Sequence, residues 1–183
     1  MTDFNKRLRK AATSGSEIEL KELLRASSCD ALAKDKDGWT ALMHATYGGR
    51  DSCVRLLLPA SDALAQDKDG WTALMRAAYG GSKSCVRLLL LASDALAQDK
   101  GGWTALMHAA YGGYEACVRL LMPESDPCAK TERGLTASDL AGSRSLMSLV
   151  QFIDAYVLAQ NERTNIDAAA SPGALRCRVA LRV

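Results

Sequence analysis

Aromatic side chains are scarce in this chain of 183 residues, only ten in all, and they are unevenly placed. Six of the ten are a Trp and a Tyr in each of three near-identical stretches, so the large rings gather in one recurring setting. Excess charge is lacking too. A net charge of +2 and a pI of 8.2 leave no broad basic footprint, which argues against nucleic acid as a partner, and KRLRK at 6–10 is the one dense basic run. No apolar run reaches the roughly 18 residues that suggest a membrane span, and the N-terminus lacks the apolar core of a secretory leader. The chain is therefore expected inside the cell, in the cytoplasm. Asn5, Asn161 and Asn165 are its only asparagines, and none begins an Asn-x-Ser/Thr acceptor. What remains is ample apolar content, 48% of residues against 24% charged, enough to bury a core.

That content is periodic. DGWTALMHATYGG at 37–49 returns as DGWTALMRAAYGG at 69–81 and as GGWTALMHAAYGG at 101–113, a period of 32 residues. Between Trp39–Leu58 and Trp71–Leu90 only four of twenty positions differ: His44/Arg76, Thr46/Ala78, Arg50/Ser82 and Asp51/Lys83. A fixed period of this size marks a stacked-repeat architecture. Within each copy the Asp-Gly pair favours a tight turn, because Gly accepts φ > 0 without a Cβ clash. Thr40, Thr72 and Thr104 stand where an N-cap hydroxyl would accept a backbone N–H ahead of an Ala-Leu-Met helix. Gly48-Gly49 and their equivalents end that helix. A second helix follows in SCVRLLL, with Cys53, Val54, Leu57 and Leu58 on one apolar face and Arg55 outward. Its first-copy end is set by Pro59; the second copy has LLLLASDA instead, which predicts a slightly longer helix there. Such short helices are marginal alone, so stacking must stabilise them.

Asp-x-x-Gly-x-Thr-x-Leu, then Ala-Ala-x-x-Gly, then Val-x-x-Leu-Leu resembles the ankyrin repeat. The Trp-Thr-Ala-Leu-Met wording is similar to that of ankyrin arrays in some parasitic protists. The resemblance implies an all-α solenoid of stacked helix-turn-helix units with short β-hairpin fingers. It departs from the family's Thr-Pro-Leu-His at Thr40-Ala41-Leu42-Met43, which predicts a drier joint between repeats. The organisation expected is a capping repeat at 1–34, full repeats at 35–66, 67–98 and 99–130, and a C-terminal cap at 131–162. The cap closes with a helix from about Ser145 to Gln160. Residues 163–183 carry four Arg against one Asp and are expected to form a basic flexible tail.

Six cysteines do not read as a disulfide framework. Cys53, Cys85 and Cys117 recur at the period, and neighbouring helices stand roughly 8–10 Å apart, whereas a disulfide needs Cα atoms within about 7 Å. These three are expected to be core thiols; no partner is assigned to Cys29, Cys128 or Cys177. His44 and His108, the only two histidines, lie two repeats apart at roughly 20 Å, too far to share an ion held by bonds of about 2 Å. GGSKS at 80–84 is no phosphate loop, since Ala77 and Ser82 stand where its two glycines belong. No catalytic, metal-binding or cofactor-binding residues are expected, and the protein is expected not to be an enzyme.

The resemblance places partner contacts on the hairpin tips and on the concave face of the first helices. These map to Lys36, Asp37, Trp39 and Tyr47, then Lys68, Asp69, Trp71 and Tyr79, then Lys100, Gly101, Trp103 and Tyr111. Trp and Tyr are prominent in binding hot spots. Positions that vary between copies, His44/Arg76/His108 among them, are expected at the surface, with Arg76 making a basic spot that favours an acidic partner segment. The candidate protein-binding residues are thus Trp39, Tyr47, Trp71, Arg76, Tyr79, Trp103 and Tyr111. The expected function is a protein–protein interaction scaffold, monomeric, with a protein partner of unknown identity. Two other readings are a structural spacer or assembly protein and the targeting module of a kinase-like protein.

Overall fold

Seven residues make barely two turns of helix, too few hydrogen bonds to offset nucleation in water. The protein forms such helices repeatedly and makes each one half of an antiparallel pair. The computed structural model describes residues 3–26 and 30–168. Ten α-helices follow in order: α1 (Asp3–Ser14), α2 (Glu17–Arg25), α3 (Ala41–Tyr47), α4 (Asp51–Leu57), α5 (Ala73–Tyr79), α6 (Lys83–Leu89), α7 (Ala105–Gly112), α8 (Glu115–Leu121), α9 (Ala137–Ser143) and α10 (Met147–Ala168). Odd-numbered helices pack on one another from α1 to α9 and even-numbered ones from α2 to α8, giving two rows joined by each hairpin.

Sequence explains the rows. Ala45, Ala77, Ala78, Ala109 and Ala110 are fully buried in the odd row, where a side chain of one methyl lets helices approach closely. Leu42, Leu74 and Leu106 fill the space between the rows, and Met43, Met75 and Met107 occupy the apolar joint left by the absent family His. Cys53, Val54 and Leu57 with their repeats line the even row. Burying a Leu contributes about 1.5–3 kcal/mol, so each repeat interface outweighs the weak propensity of its helices.

The starts of the odd helices behave as their threonines imply. The hydroxyls of Thr40, Thr72 and Thr104 each accept the N–H of the Met three residues on, at 3.3 Å. Thr136 does the same with Asp139, whose carboxylate returns to the Thr136 N–H and completes a capping box. Expected and observed helices differ at two ends. α6 stops at Leu89, no longer than α4, and lacks the 3₁₀ turns of Leu58–Ala60 and Met122–Glu124 that contain Pro59 and Pro123. Leu91 is 97% exposed, so extending α6 would bury nothing. α10 runs on to Ala168, past the expected end at Gln160, and takes in the first residues of the segment expected to be a tail. The rest of that segment, 169–183, lies outside the described residues, as do Cys29 and Cys177.

The fingers carry no β-ladder among the described residues. In each full repeat the finger is a turn closed by two backbone bonds, Asp35 N–H to Trp39 O at 2.9 Å and Gly38 N–H to Asp35 O at 3.1 Å, and by a carboxylate: Asp35 Oδ1 accepts the N–H groups of Asp37 and Trp39. A side chain therefore performs the pairing that a second strand would have done. One backbone bond ties each finger to the next, from the Lys68 N–H to Asp37 O, from Lys100 to Asp69 and from Glu132 to Gly101. Gly38, at φ 86°, permits this approach, since a Cβ there would lie 2.8 Å from the Lys68 nitrogen.

Candidate functional site: the aromatic ladder

The carboxylate that closes each finger also reaches the first helix of its own repeat. His44 Nε2 lies 2.9 Å from Asp35 Oδ2, His108 Nε2 lies 3.1 Å from Asp99 Oδ2, and between them Arg76 Nη2 donates to Asp67 Oδ2. In every full copy a planar nitrogen base thus holds finger to helix across nine residues. Burial pushes the Asp35 and Asp99 carboxyls upward, but the hydrogen bonds from His44 or His108 and from two backbone N–H groups outweigh it. Both end below the usual carboxylate value.

Two of these three groups also lie between tryptophans, whereas His44 meets only Trp39, at 5.0 Å. The Arg76 guanidinium carbon is 3.9 Å from the Trp39 ring centroid and 4.1 Å from that of Trp71, a cation held between two indole faces in successive repeats. His108 takes the equivalent place one step on, 4.0 Å from Trp71 and 5.1 Å from Trp103. The order along the stack is Trp39, Arg76, Trp71, His108, Trp103. Arg76 Nε is buried without a hydrogen-bond acceptor in the protein, and the flanking indoles provide its compensation. Each such cation–π contact contributes about 0.5–2 kcal/mol according to its desolvation.

Arg76 is accordingly no exposed basic spot. Its side chain is 11% exposed, its charge meets the fully buried Asp67, and an acidic partner segment would find no free cation there. The variable position 44/76/108 is interior in two of three copies, contrary to the surface position expected of residues that differ between repeats. What stays constant is a planar N–H donor, and both His and Arg supply one.

The tyrosines form the outer edge of the ladder. Tyr47, Tyr79 and Tyr111 each meet their own repeat's Trp edge to face, with ring centroids 5.6, 5.4 and 5.5 Å apart. Tyr47 and Tyr79 nonetheless remain 52% and 44% exposed, whereas the three Trp and Tyr111 are half-buried. Lys36, Asp37, Lys68, Asp69 and Lys100 project beside them as exposed finger tips. Helix positions three residues apart carry base and tyrosine on one side of each odd helix, which is why the two share a face.

Other chemistry is sparse. Among the described residues no group of three or more His, Cys, Asp or Glu is placed to hold a metal ion, and no helix is long and apolar enough to cross a membrane. Cys53, Cys85 and Cys117 are buried free thiols, and burial, with the Cys85 sulfur nearby, pushes Cys117 up to about 11. Cys128 packs half-buried against the core.

Paired short helices in two rows, turn-closed fingers and an edge of exposed tyrosines define a helical repeat solenoid. Comparison with known families finds the same kind of unit: "Ankyrin repeats (3 copies)" matches residues 8–99 and "Ankyrin repeat" matches 101–132. The chain belongs to the ankyrin-repeat family. Proteins of this family are in general protein–protein interaction modules rather than catalysts.

Proposed function

We propose that the protein is a non-enzymatic, intracellular recognition scaffold, monomeric, that binds a protein partner through the concave face of its array. The observation that carries this reading is the exposure of Tyr47 and Tyr79 on a rigid support. Each ring is braced by a tryptophan, so it offers apolar area and a hydroxyl with little conformational entropy to lose. Tyr47, Tyr79 and Tyr111 make the contact, with the rims of Trp39, Trp71 and Trp103 beneath them. Arg76 acts by fixing Trp39 and Trp71 and not by touching the partner. The units at 1–34 and 131–162 cap the array and leave the three middle repeats to bind.

The test is affinity purification from cell extract with partner identification by mass spectrometry, repeated with two paired variants of the protein. Tyr47→Ala with Tyr79→Ala should lose the partner while keeping the parent's thermal melt. Arg55→Ala with Arg87→Ala, on exposed positions of the even row, should retain it. The opposite pattern overturns the reading. Trp71→Ala is the poorer probe, because Trp71 also supports Arg76 and His108.

A further inference from the structure

The walls around Arg76 recur one repeat later without the guanidinium. Trp71, Tyr79, Asp99, Trp103, His108 and Tyr111 line a cleft of about 280 Å³. Each is the 32-residue counterpart of a residue around Arg76: Trp39, Tyr47, Asp67, Trp71, Arg76 itself and Tyr79. Two departures of the third copy coincide there. His108 is shorter than Arg and lies deep against Asp99, only 4% exposed, so the outer part of the slot is vacated. Gly101 also lines the cleft where the earlier copies carry Asp37 and Asp69. A Cβ at Gly101 would lie 3.3 Å from Trp103 Cδ1 and 3.4 Å from Asp99 Oδ1, so its absence leaves that flank bare.

The chain itself shows what such a slot holds. One repeat earlier the corresponding pair of indoles, Trp39 and Trp71, and the corresponding aspartate, Asp67, enclose an arginine. We propose that the cleft takes the guanidinium of an arginine side chain presented by the partner protein, between Trp71 and Trp103 and outside His108. This rests on the recognition role argued above and names the chemistry of its guest. Aromatic faces carry negative quadrupole charge, so a planar cation gains over them what a neutral group of the same shape does not. Asp99 adds a negative charge to the wall, which disfavours a carboxylate guest. The cleft opens beside Tyr79, one of the exposed tyrosines, so the guest and the rest of a bound segment would share one face.

The experiment is an NMR titration of the full chain, ¹⁵N-labelled at its Trp indoles, with acetyl-Gly-Arg-Gly-amide and with the neutral citrulline counterpart. The Trp71 and Trp103 indole signals should move with the arginine peptide, Trp39 should stay, and citrulline should bind about tenfold more weakly or not at all. His108→Arg should fold as the parent does, since Arg76 shows that the slot accommodates this side chain. It should abolish the response by supplying the guest internally. Arg76→His, which empties the preceding slot, should bring Trp39 into the response. Equal shifts with citrulline, or shifts that persist in folded His108→Arg, overturn the proposal. If the arginine peptide moves no indole while the tyrosine pair still loses the purified partner, the guest assignment fails and the recognition role stands. A normal peptide response with partner capture indifferent to the tyrosines does the reverse.

Discussion

Replacing Arg76 by Ala isolates the interaction on which the ladder depends. Asp67 loses its charge partner while its side chain stays fully buried, keeping only the N–H groups of Asp69 and Trp71, both at 2.9 Å. Removing one member of a buried pair costs about 3–5 kcal/mol, because the other charge is left uncompensated. Two cation–π contacts go with it, but they share the same side chain, and a total near 4 kcal/mol is the expected order. For a chain of this size that is a fall of about 8–16 °C in melting temperature. The internal control is Lys21→Ala, which breaks the Lys21–Glu17 pair at 50% and 46% exposure and should cost less than about 1 kcal/mol. Circular dichroism melts of both variants decide the matter. If Arg76→Ala melts within a degree or two of the parent, the sandwich between Trp39 and Trp71 does not support the stack.

Further outcomes follow from the same geometry. The folded Asp35 and Asp99 carboxyls lie below their unfolded value of 3.8, so their contribution is fully present above about pH 4 and fades as pH falls through the lower folded value. Asp99→Asn should therefore be less stable than the parent at pH 7, with the gap in melting temperature narrowing towards pH 2. Gly70→Ala would place a Cβ 3.0 Å from the Lys100 nitrogen at φ 84° and should cost about 1–3 kcal/mol in chemical denaturation. Ser145 occupies the position of Gly113 one period on and holds φ 60°, so Ser145→Gly should gain about 0.5–1 kcal/mol. Cys53, Cys85 and Cys117 should resist iodoacetamide at pH 8 in the folded protein and label on unfolding, as read by peptide mass spectrometry.

Much of the fold was legible because its determinants are local and repeated. Thr40 caps the helix beside it, Gly38 bends the turn that contains it, and Cys53, Val54 and Leu57 mark a face by spacing alone. The ladder was not legible, because its contacts join different copies. Arg76 meets a Trp of the preceding repeat, a relation that the alignment of copies hides by placing 44, 76 and 108 in one column of apparent drift. The signal was present in the chemistry of that column, where every member is a planar nitrogen donor nine residues after an Asp. The fingers were read as hairpins for a similar reason: nothing in Asp-Lys-Asp-Gly announces that the first carboxylate, and not a second strand, closes the turn. The tyrosines were recognised as candidates, but separating exposed Tyr47 and Tyr79 from the half-buried tryptophans needed the structure.

The most direct test of recognition by this face is site-specific photo-crosslinking, with a photoreactive amino acid placed singly at Tyr47, Tyr79, Arg55 and Arg87 in cells. Positions 47 and 79 should give adducts to one and the same protein, and positions 55 and 87 none. Adducts from the even-row positions, with none from the tyrosines, would contradict recognition by this face.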